Sequence, residues 1–149
     1  MSQTPQDPAN PYGDRPAYEP PSHQQPDYTA PQSSISPAQE RTLGAVAHGV
    51  PLIAMVLSAG LLGFVGSLVI YLMYKDRGPF VRQHAANSLN VQIITGIVLL
   101  ISIPLMLILV GFVTYAVALV FAFVMHLLGA IKANNGEWWD PPMTPRFVR

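Results

Sequence analysis

Apolar residues along this chain fall into four segments, each predicted to be a helix that crosses a membrane. Residues 42–74 and 83–131 contain no Asp, Glu, Lys or Arg. Uncharged apolar runs of about 18 or more residues are typical of transmembrane helices. Turn-forming and charged residues divide the two runs into four apolar segments, which cover residues 43–57, 61–74, 85–110 and 114–133. The pattern therefore predicts an all-α fold, a four-helix transmembrane bundle.

Local signals mark where the first helix begins and the last one ends. Ser36 followed by Pro37 is typical of a helix start. The last segment runs into Asn134, Asn135 and Gly136, and the glycine can adopt the left-handed conformation that ends many helices. The first two segments reach only about 21–23 Å, against a hydrocarbon core of roughly 30 Å. The first segment also holds His48, Pro51 and two glycines, so its insertion alone is marginal, and we expect it to insert as a hairpin with the second.

The position of the charges predicts the topology. Only 11% of the residues are charged, against about a quarter in ordinary soluble domains. If all four segments cross, Arg41, residues 75–82 and residues 132–149 share one side, and the connections on the other side are uncharged. Because Lys and Arg are enriched on the cytoplasmic side, both termini are predicted to be cytoplasmic. A single long first helix would place Arg41 on the opposite side and is disfavoured.

Composition divides the chain into three parts. Residues 1–38 hold most of the 15 prolines, among Gln, Ser and Tyr, a composition that cannot bury enough apolar area to fold. They are predicted to be a disordered cytoplasmic tail and a candidate docking segment for a cytosolic partner. Residues 39–142 form the four-span membrane domain, and residues 143–149 a short C-terminal tail. We expect a multi-pass membrane protein.

A band of uncharged polar side chains enters the membrane segments at one depth. His48 lies seven residues after Arg41, and His126 lies six before Lys132, so each is roughly 9–10 Å inside its helix. On the third segment His84 lies near the interface, two residues after Arg82. Asn87, Ser88 and Asn90 follow at depths of about 7–12 Å. An unpaired polar group in hydrocarbon costs several kcal/mol. These side chains are therefore expected to contact one another.

Two interpretations of this band are open. It could be a hydrogen-bonded cluster that joins the helices, or a site in which His48 and His126 ligate haem or a metal, bind quinone or relay protons. Cysteine is absent from the sequence, which excludes thiolate sites, and the apolar segments contain neither a carboxylate nor an HxxxH spacing. We therefore predict no metal and no cofactor, and prefer the first interpretation.

Two more groups of residues mark the predicted membrane boundary. Trp138 and Trp139 directly follow the last segment and are expected to anchor it at headgroup level. The connection between the second and third segments is predicted to be a cytoplasmic turn that contains Lys75, Asp76, Arg77, Pro79 and Arg82.

The order of these motifs resembles a known family. Arg41 and His48 are followed by the Tyr-Lys-Asp-Arg-Gly-Pro-Phe-Val turn, which runs into residues 84–92, and the last helix ends in Gly-Glu-Trp with prolines behind it. This order resembles the Tic-twenty-like bacterial membrane proteins, small four-helix proteins catalogued as a domain of unknown function. They are similar to the Tic-twenty subunit of the chloroplast inner-envelope protein translocon. The resemblance covers about residues 41–141 and implies a four-helix plasma-membrane bundle, but no reaction.

Non-enzymatic assembly is the function that these features favour. The chain has no nucleophile–base pair, glycine-rich phosphate loop or carboxylate pair, so no catalytic residue is predicted. Its net charge of zero gives no reason to expect nucleic acid. The expected partners are the lipid bilayer, further copies of the chain and other membrane proteins. The alternatives are an oligomeric pore or carrier, for a small solute or a polypeptide, and a haem or quinone module.

Overall fold

The computed structural model describes residues 34–149 as four α-helices and one short 3-10 helix, without a strand in that range. The predictions for residues 1–33, which include most of the proline-rich tail and its docking role, lie outside the described residues. The helices are α1 (Pro37–Leu57), α2 (Gly63–Tyr74), α3 (Pro79–Leu105) and α4 (Val110–Asn134), with the 3-10 helix Met106–Ile108 between α3 and α4. The predicted all-α class with four helices is confirmed.

The first helix begins and the last helix ends where the local signals predicted. Ser36 caps α1: its hydroxyl accepts from the backbone N–H of Gln39, and the Gln39 side chain accepts from the backbone N–H of Ser36. This reciprocal pair satisfies two N–H groups that the first turn leaves unpaired. The last helix, α4, ends at Asn134. Gly136, two residues later, has a φ of 74°, the left-handed conformation that favours glycine. Both predictions are confirmed.

A five-residue turn separates α1 from α2. Ser58 donates to the carbonyl of Ala54 and accepts from the N–H of Leu62, so one hydroxyl ends α1 and satisfies the start of the next turn. Ala59 and Gly60 then adopt positive φ values of 51° and 100°, which reverse the chain. The region is therefore two helices, as predicted, and not one long rod.

The connection between α3 and α4 differs from its predicted position. The sequence indicated a turn near Gly111 and Phe112, but both lie in the first turn of α4, and the chain reverses at Leu109, whose φ is 66°. Packing requires a glycine at position 111, because a Cβ there would overlap the backbone of Ser102 and Met106. The glycine allows the start of α4 to lie directly on the end of α3, which sequence alone could not distinguish from a turn glycine.

Helices α1 and α3 form the centre of the bundle. Each packs against the other and against both α2 and α4, whereas α2 and α4 do not contact each other within the described residues. Two small apolar clusters fill the interior, one around Met55, Val91 and Met125 and the other around Ala47 and Ile70. Side chains of α1, α3 and α4 that point toward the bundle axis therefore contact one another in the interior.

Burial in this bundle is the reverse of that in a soluble protein. The largest wholly buried side chains are His48, His84, His126 and Gln92, while Leu57 is 82% exposed and Leu107 is 89% exposed. Within residues 34–149, two helices are long and apolar enough to cross a membrane, Pro79–Ile108 and Val110–Asn134, and only 28% of each apolar stretch is buried. A soluble core helix of that composition would be mostly covered. The apolar surface of this bundle faces outward.

Candidate functional site

Three histidines from three helices meet in the interior. His48 of α1, His84 of α3 and His126 of α4 are all wholly buried. The ring centroid of His48 lies 5.6 Å from that of His84 and 5.6 Å from that of His126. The structure thus brings together His48 and His126, which the sequence placed at one depth, and His84, which it placed nearer the interface. We call these three residues together with Gln92 the histidine layer.

The hydrogen bonds of the layer assign its protons. Gln92 Nε2 lies 2.8 Å from His126 Nε2 and also donates weakly to Met55 Sδ at 3.9 Å. With the Gln92 amide oriented as it is here, its nitrogen faces His126 and donates. His126 Nε2 then accepts, and His126 carries its proton on Nδ1. That proton points at His48 Nδ1, 3.4 Å away. His48 is then protonated on Nε2, an atom for which the described residues provide no partner.

His84 is held separately by the segment after α4. Its Nε2 lies 3.1 Å from the backbone carbonyl of Glu137, and because a carbonyl only accepts, Nε2 carries the proton. The unprotonated Nδ1 is buried and has no partner among the described residues. The layer therefore ends in one unpaired donor, His48 Nε2–H, and one unpaired acceptor, His84 Nδ1. Unpaired buried polar atoms are few in native proteins and are worth a functional explanation.

Glycines on facing helices leave the space that the polar side chains occupy. A Cβ on Gly129 of α4 would overlap the ring of His48, and a Cβ on Gly63 of α2 would lie 2.6 Å from Gln92 Nε2. Gly44 of α1 faces the His84 ring, with 3.5 Å from a Cβ to Cγ. The layer is thus built into the helix packing, because any larger residue at Gly63 or Gly129 would displace it.

The remaining members of the predicted polar band point away from the histidines. The Ser88 hydroxyl lies 2.9 Å from that of Ser67 and joins α3 to α2. Asn90 donates to the carbonyl of Val148 at 2.9 Å and accepts from its N–H at 2.8 Å. Asn87 donates to the carbonyl of Trp139 at 2.5 Å. We call Asn87 and Asn90 the asparagine clasp, because they hold the returning C-terminal segment against α3.

The predicted boundary residues lie around the same end of the bundle. Trp138 is 60% exposed and its ring meets Phe80 edge-on, whereas the Trp139 ring packs 5.9 Å from that of His48. The predicted turn follows α2: Lys75, Asp76 and Arg77 precede Gly78, Pro79 is the first residue of α3, and Arg82 donates to the backbone oxygen of Arg149. Only Trp139 of this group touches the histidine layer.

Sequence analysis missed two residues that organise the site. Gln92 links His126 to Met55; its signal was the spacing from Ser88 to Gln92 to Thr95, which places all three on one helix face. Glu40 is buried near the start of α1, and its Oε2 accepts from the backbone N–H groups of Phe80 and Val81 at 2.9 and 3.2 Å. It caps α3 from a different helix. A lone acidic residue in the first turn gave no hint of that distant partner.

The geometry does not favour a haem between His48 and His126. Axial ligands hold an iron from opposite faces of a flat macrocycle, but these two rings are in direct hydrogen-bond contact and wholly buried. Within residues 34–149, no group of three or more His, Cys, Asp or Glu side chains is arranged to hold a metal ion. What the layer can do is join three helices through one continuous set of ring contacts.

Comparison with known proteins assigns the chain to a family. Residues 39–148 match the model of the magnetosome magnetite crystal formation protein family, MamF/MmsF. No curated protein and no solved structure matches the chain significantly. The Tic-twenty-like resemblance is therefore wrong: the residues that carried it, including the turn before α3, lie inside the region that this other family model matches. Because the match runs from the first turn of α1 through the C-terminal segment, the chain belongs to the magnetosome magnetite crystal formation protein family.

Proposed function

We propose that this protein is a non-enzymatic membrane bundle that acts by assembling with copies of itself or with other membrane proteins. The observation that carries the proposal is the pattern of burial: imidazole rings are among the largest wholly buried side chains, while leucines and valines cover the outside. Such an apolar surface is stable only against lipid or another apolar surface. The family description adds a setting, a membrane in which magnetite crystals form.

The proposed topology has four crossings with both termini cytoplasmic. Charged side chains cluster at one end of the bundle, at Arg41, at residues 75–82 and at residues 132–149, whereas the two connections at the other end, residues 58–62 and 106–109, are uncharged. The positive-inside rule assigns the charged end to the cytoplasm. Helix α2 has 12 residues and spans only about 18 Å, so we propose that it crosses as the partner of α1 with local thinning of the bilayer.

Support for assembly comes from a glycine on the outer face of α3. A Cβ on Gly96 would meet no atom within 4 Å. Small residues on lipid-facing surfaces let a second helix approach closely. An apolar cavity of about 360 Å³ between α3 and α4, lined in part by Thr95 and Ala118, extends the same outer surface. We propose that these positions receive neighbouring copies or other membrane proteins.

Topology and assembly are tested by separate measurements. Reporter domains fused before residue 34 and after Arg149 should both report a cytoplasmic location. The protein should also stay in the membrane after carbonate extraction. Reporters on opposite sides would contradict four crossings. Crosslinking in native membranes should give species larger than one chain, and a chain that stays monomeric at native expression levels would contradict assembly.

The link to crystal formation needs a cellular test. In a magnetite-forming bacterium that lacks a family member, this chain should restore crystal size, measured by electron microscopy. A Gly129→Val variant, which cannot form the histidine layer, should fail to restore it, and a Gly49→Val variant should succeed. Equal crystal sizes with and without the intact chain would remove the proposed setting and leave membrane assembly as a separate question.

A further inference from the structure

A cavity of about 520 Å³ lies beside the asparagine clasp, at the charged end of the bundle. Its walls are the turn after α2, the first two turns of α3 and the C-terminal segment. The volume falls within the range of about 300–1,000 Å³ that is usual for small-molecule sites. The cavity shares no lining residue with the histidine layer, so it is a separate feature of the molecule.

The charged side chains of this cavity are unequal in sign. Four cationic residues line it, against two carboxylates, Asp76 and Asp140. One cation is already neutralised, because Arg146 pairs with Asp140 at 2.5 Å. The cations are Lys75, Arg82, Arg146 and Arg149. Among the described residues, the charged side chains that line the cavity therefore have a net charge of +2.

Two of these cations are available to a ligand. Lys75 is half-buried and, among the described residues, has no hydrogen-bond or ion-pair partner. Arg82 is exposed, and in the part of the chain that the structure describes its Nε and Nη2 donate to the backbone oxygen of Arg149, which leaves its other N–H groups for a ligand. A guanidinium offers a planar fork that matches phosphate oxygens, and an ammonium adds a compact point charge. Together they suit an anionic phosphate better than a neutral or cationic group.

We propose that this cavity binds an anionic phosphate group, either the headgroup of an anionic phospholipid or a soluble phosphate compound. Basic pockets between helices on the cytoplasmic side of membrane proteins bind such headgroups. Leu72 and Met73, just before Lys75, are 57% and 58% exposed, so an apolar surface for acyl chains adjoins the cavity. The lipid source depends on the proposed membrane topology, whereas phosphate recognition itself does not.

The test uses the full chain, purified in neutral detergent and titrated with four probes. These are dihexanoyl phosphatidylglycerol, dihexanoyl phosphatidylcholine, inorganic phosphate and glycerol 3-phosphate, with tryptophan fluorescence and thermal stability as readouts. Phosphatidylglycerol should bind at least ten-fold more tightly than phosphatidylcholine, whose choline cancels the phosphate charge. Tighter binding of the lipid than of the two soluble phosphates identifies a headgroup site, and comparable binding identifies a soluble phosphate compound.

Charge variants connect the binding to the cavity. Lys75→Gln and Arg82→Gln should each weaken phosphatidylglycerol binding about five-fold, as expected for the loss of one surface cation. Asp76→Asn should strengthen it, because it removes the carboxylate that has no partner within the described residues. Lys132→Gln removes a cation from the same end outside the cavity and should leave binding unchanged.

Two results would overturn the proposal: equal binding of the anionic and zwitterionic lipids with no effect of soluble phosphate, or equal weakening by Lys75→Gln and Lys132→Gln. Lys75 lies in an exposed turn, so its variant tests the site even if Arg82→Gln does not fold. Carbonate extraction of the same variants reports membrane insertion independently. A failed phosphate site in an inserted protein is thereby distinguished from a failed membrane assignment.

Discussion

The histidine layer and the asparagine clasp draw on the same stretch of α3 but pair their polar atoms differently. The side-chain amide of Asn90 pairs both its N–H and its carbonyl oxygen with the backbone of Val148. His48 and His84, in contrast, each keep one buried ring nitrogen without a partner among the described residues. The difference follows from what each group faces. An irregular backbone offers free N–H and C=O groups, but a helix has already used its own. Polar side chains between helices must therefore pair with one another.

The largest effect is expected where a helix backbone touches the layer. Gly129→Val should destabilise the bundle by about 3 kcal/mol, at the upper end of the cost of overpacking, because the new side chain overlaps the His48 ring. The measurement is the thermal unfolding of the purified protein in detergent. Gly49→Val is the matched control, since a Cβ at Gly49 meets open space. Equal loss of stability in the two variants would show that helix propensity, and not the layer, sets the cost.

Removing one ring from the layer should have the next largest effect. His126→Leu leaves His48 Nδ1 and the Gln92 amide without their partner, and buried polar atoms without partners cost about 1–3 kcal/mol in total stability. Unchanged thermal aggregation of the variant would contradict a structural role for the layer. Nitrogen-15 NMR of labelled histidine is the more direct check: His126 should carry its proton on Nδ1, and His48 and His84 on Nε2. The opposite tautomers would refute the assigned hydrogen bonds.

Breaking the clasp should cost less and act elsewhere. Asn90→Leu removes two hydrogen bonds to Val148, worth about 1 kcal/mol each at most in net stability, and frees the C-terminal segment. Limited proteolysis should then cut residues 141–149 faster, while the histidine tautomers stay as they are. Ser67→Ala, which breaks one bond between α2 and α3, should leave the C-terminal segment protected. Changed tautomers in Asn90→Leu would mean that the two groups are coupled.

The sequence predicted those features that depend on neighbouring residues. Ser36 and Gly136 marked helix ends because a cap is made within one turn. His84 and Ser88, members of the predicted polar band one helical turn apart, are buried on one face of α3. Features that depend on distant contacts were missed. Gly111 suggested a turn because its packing on α3 is invisible in the chain, and the clasp joins residues 58 positions apart. The motif order gave the wrong family, since short motifs record neither depth nor contact.

The smallest effect is expected at the link between the two groups, Glu137, whose backbone holds His84 while its side chain lies at the surface. Hydrogen bonds from Lys132 and then Asn135 lower the pKa of its carboxyl below the ordinary value of 4.5. A lowered pKa stabilises the fold above the unfolded-state pKa, and that contribution is lost as pH falls through the folded-state pKa. The difference in Tm between the wild type and Glu137→Gln should therefore be largest near pH 7, persist down to the unfolded-state pKa and vanish only below the lowered folded-state pKa. High salt should reduce the Tm difference further, because the Lys132–Glu137 ion pair is exposed.

Two outcomes would contradict this role of Glu137. If acidification lowers the stability of both proteins equally, the loss arises from other groups. If the Glu137 substitution shifts the tautomer of His84, the Glu137 side chain, and not only its backbone carbonyl, positions the histidine.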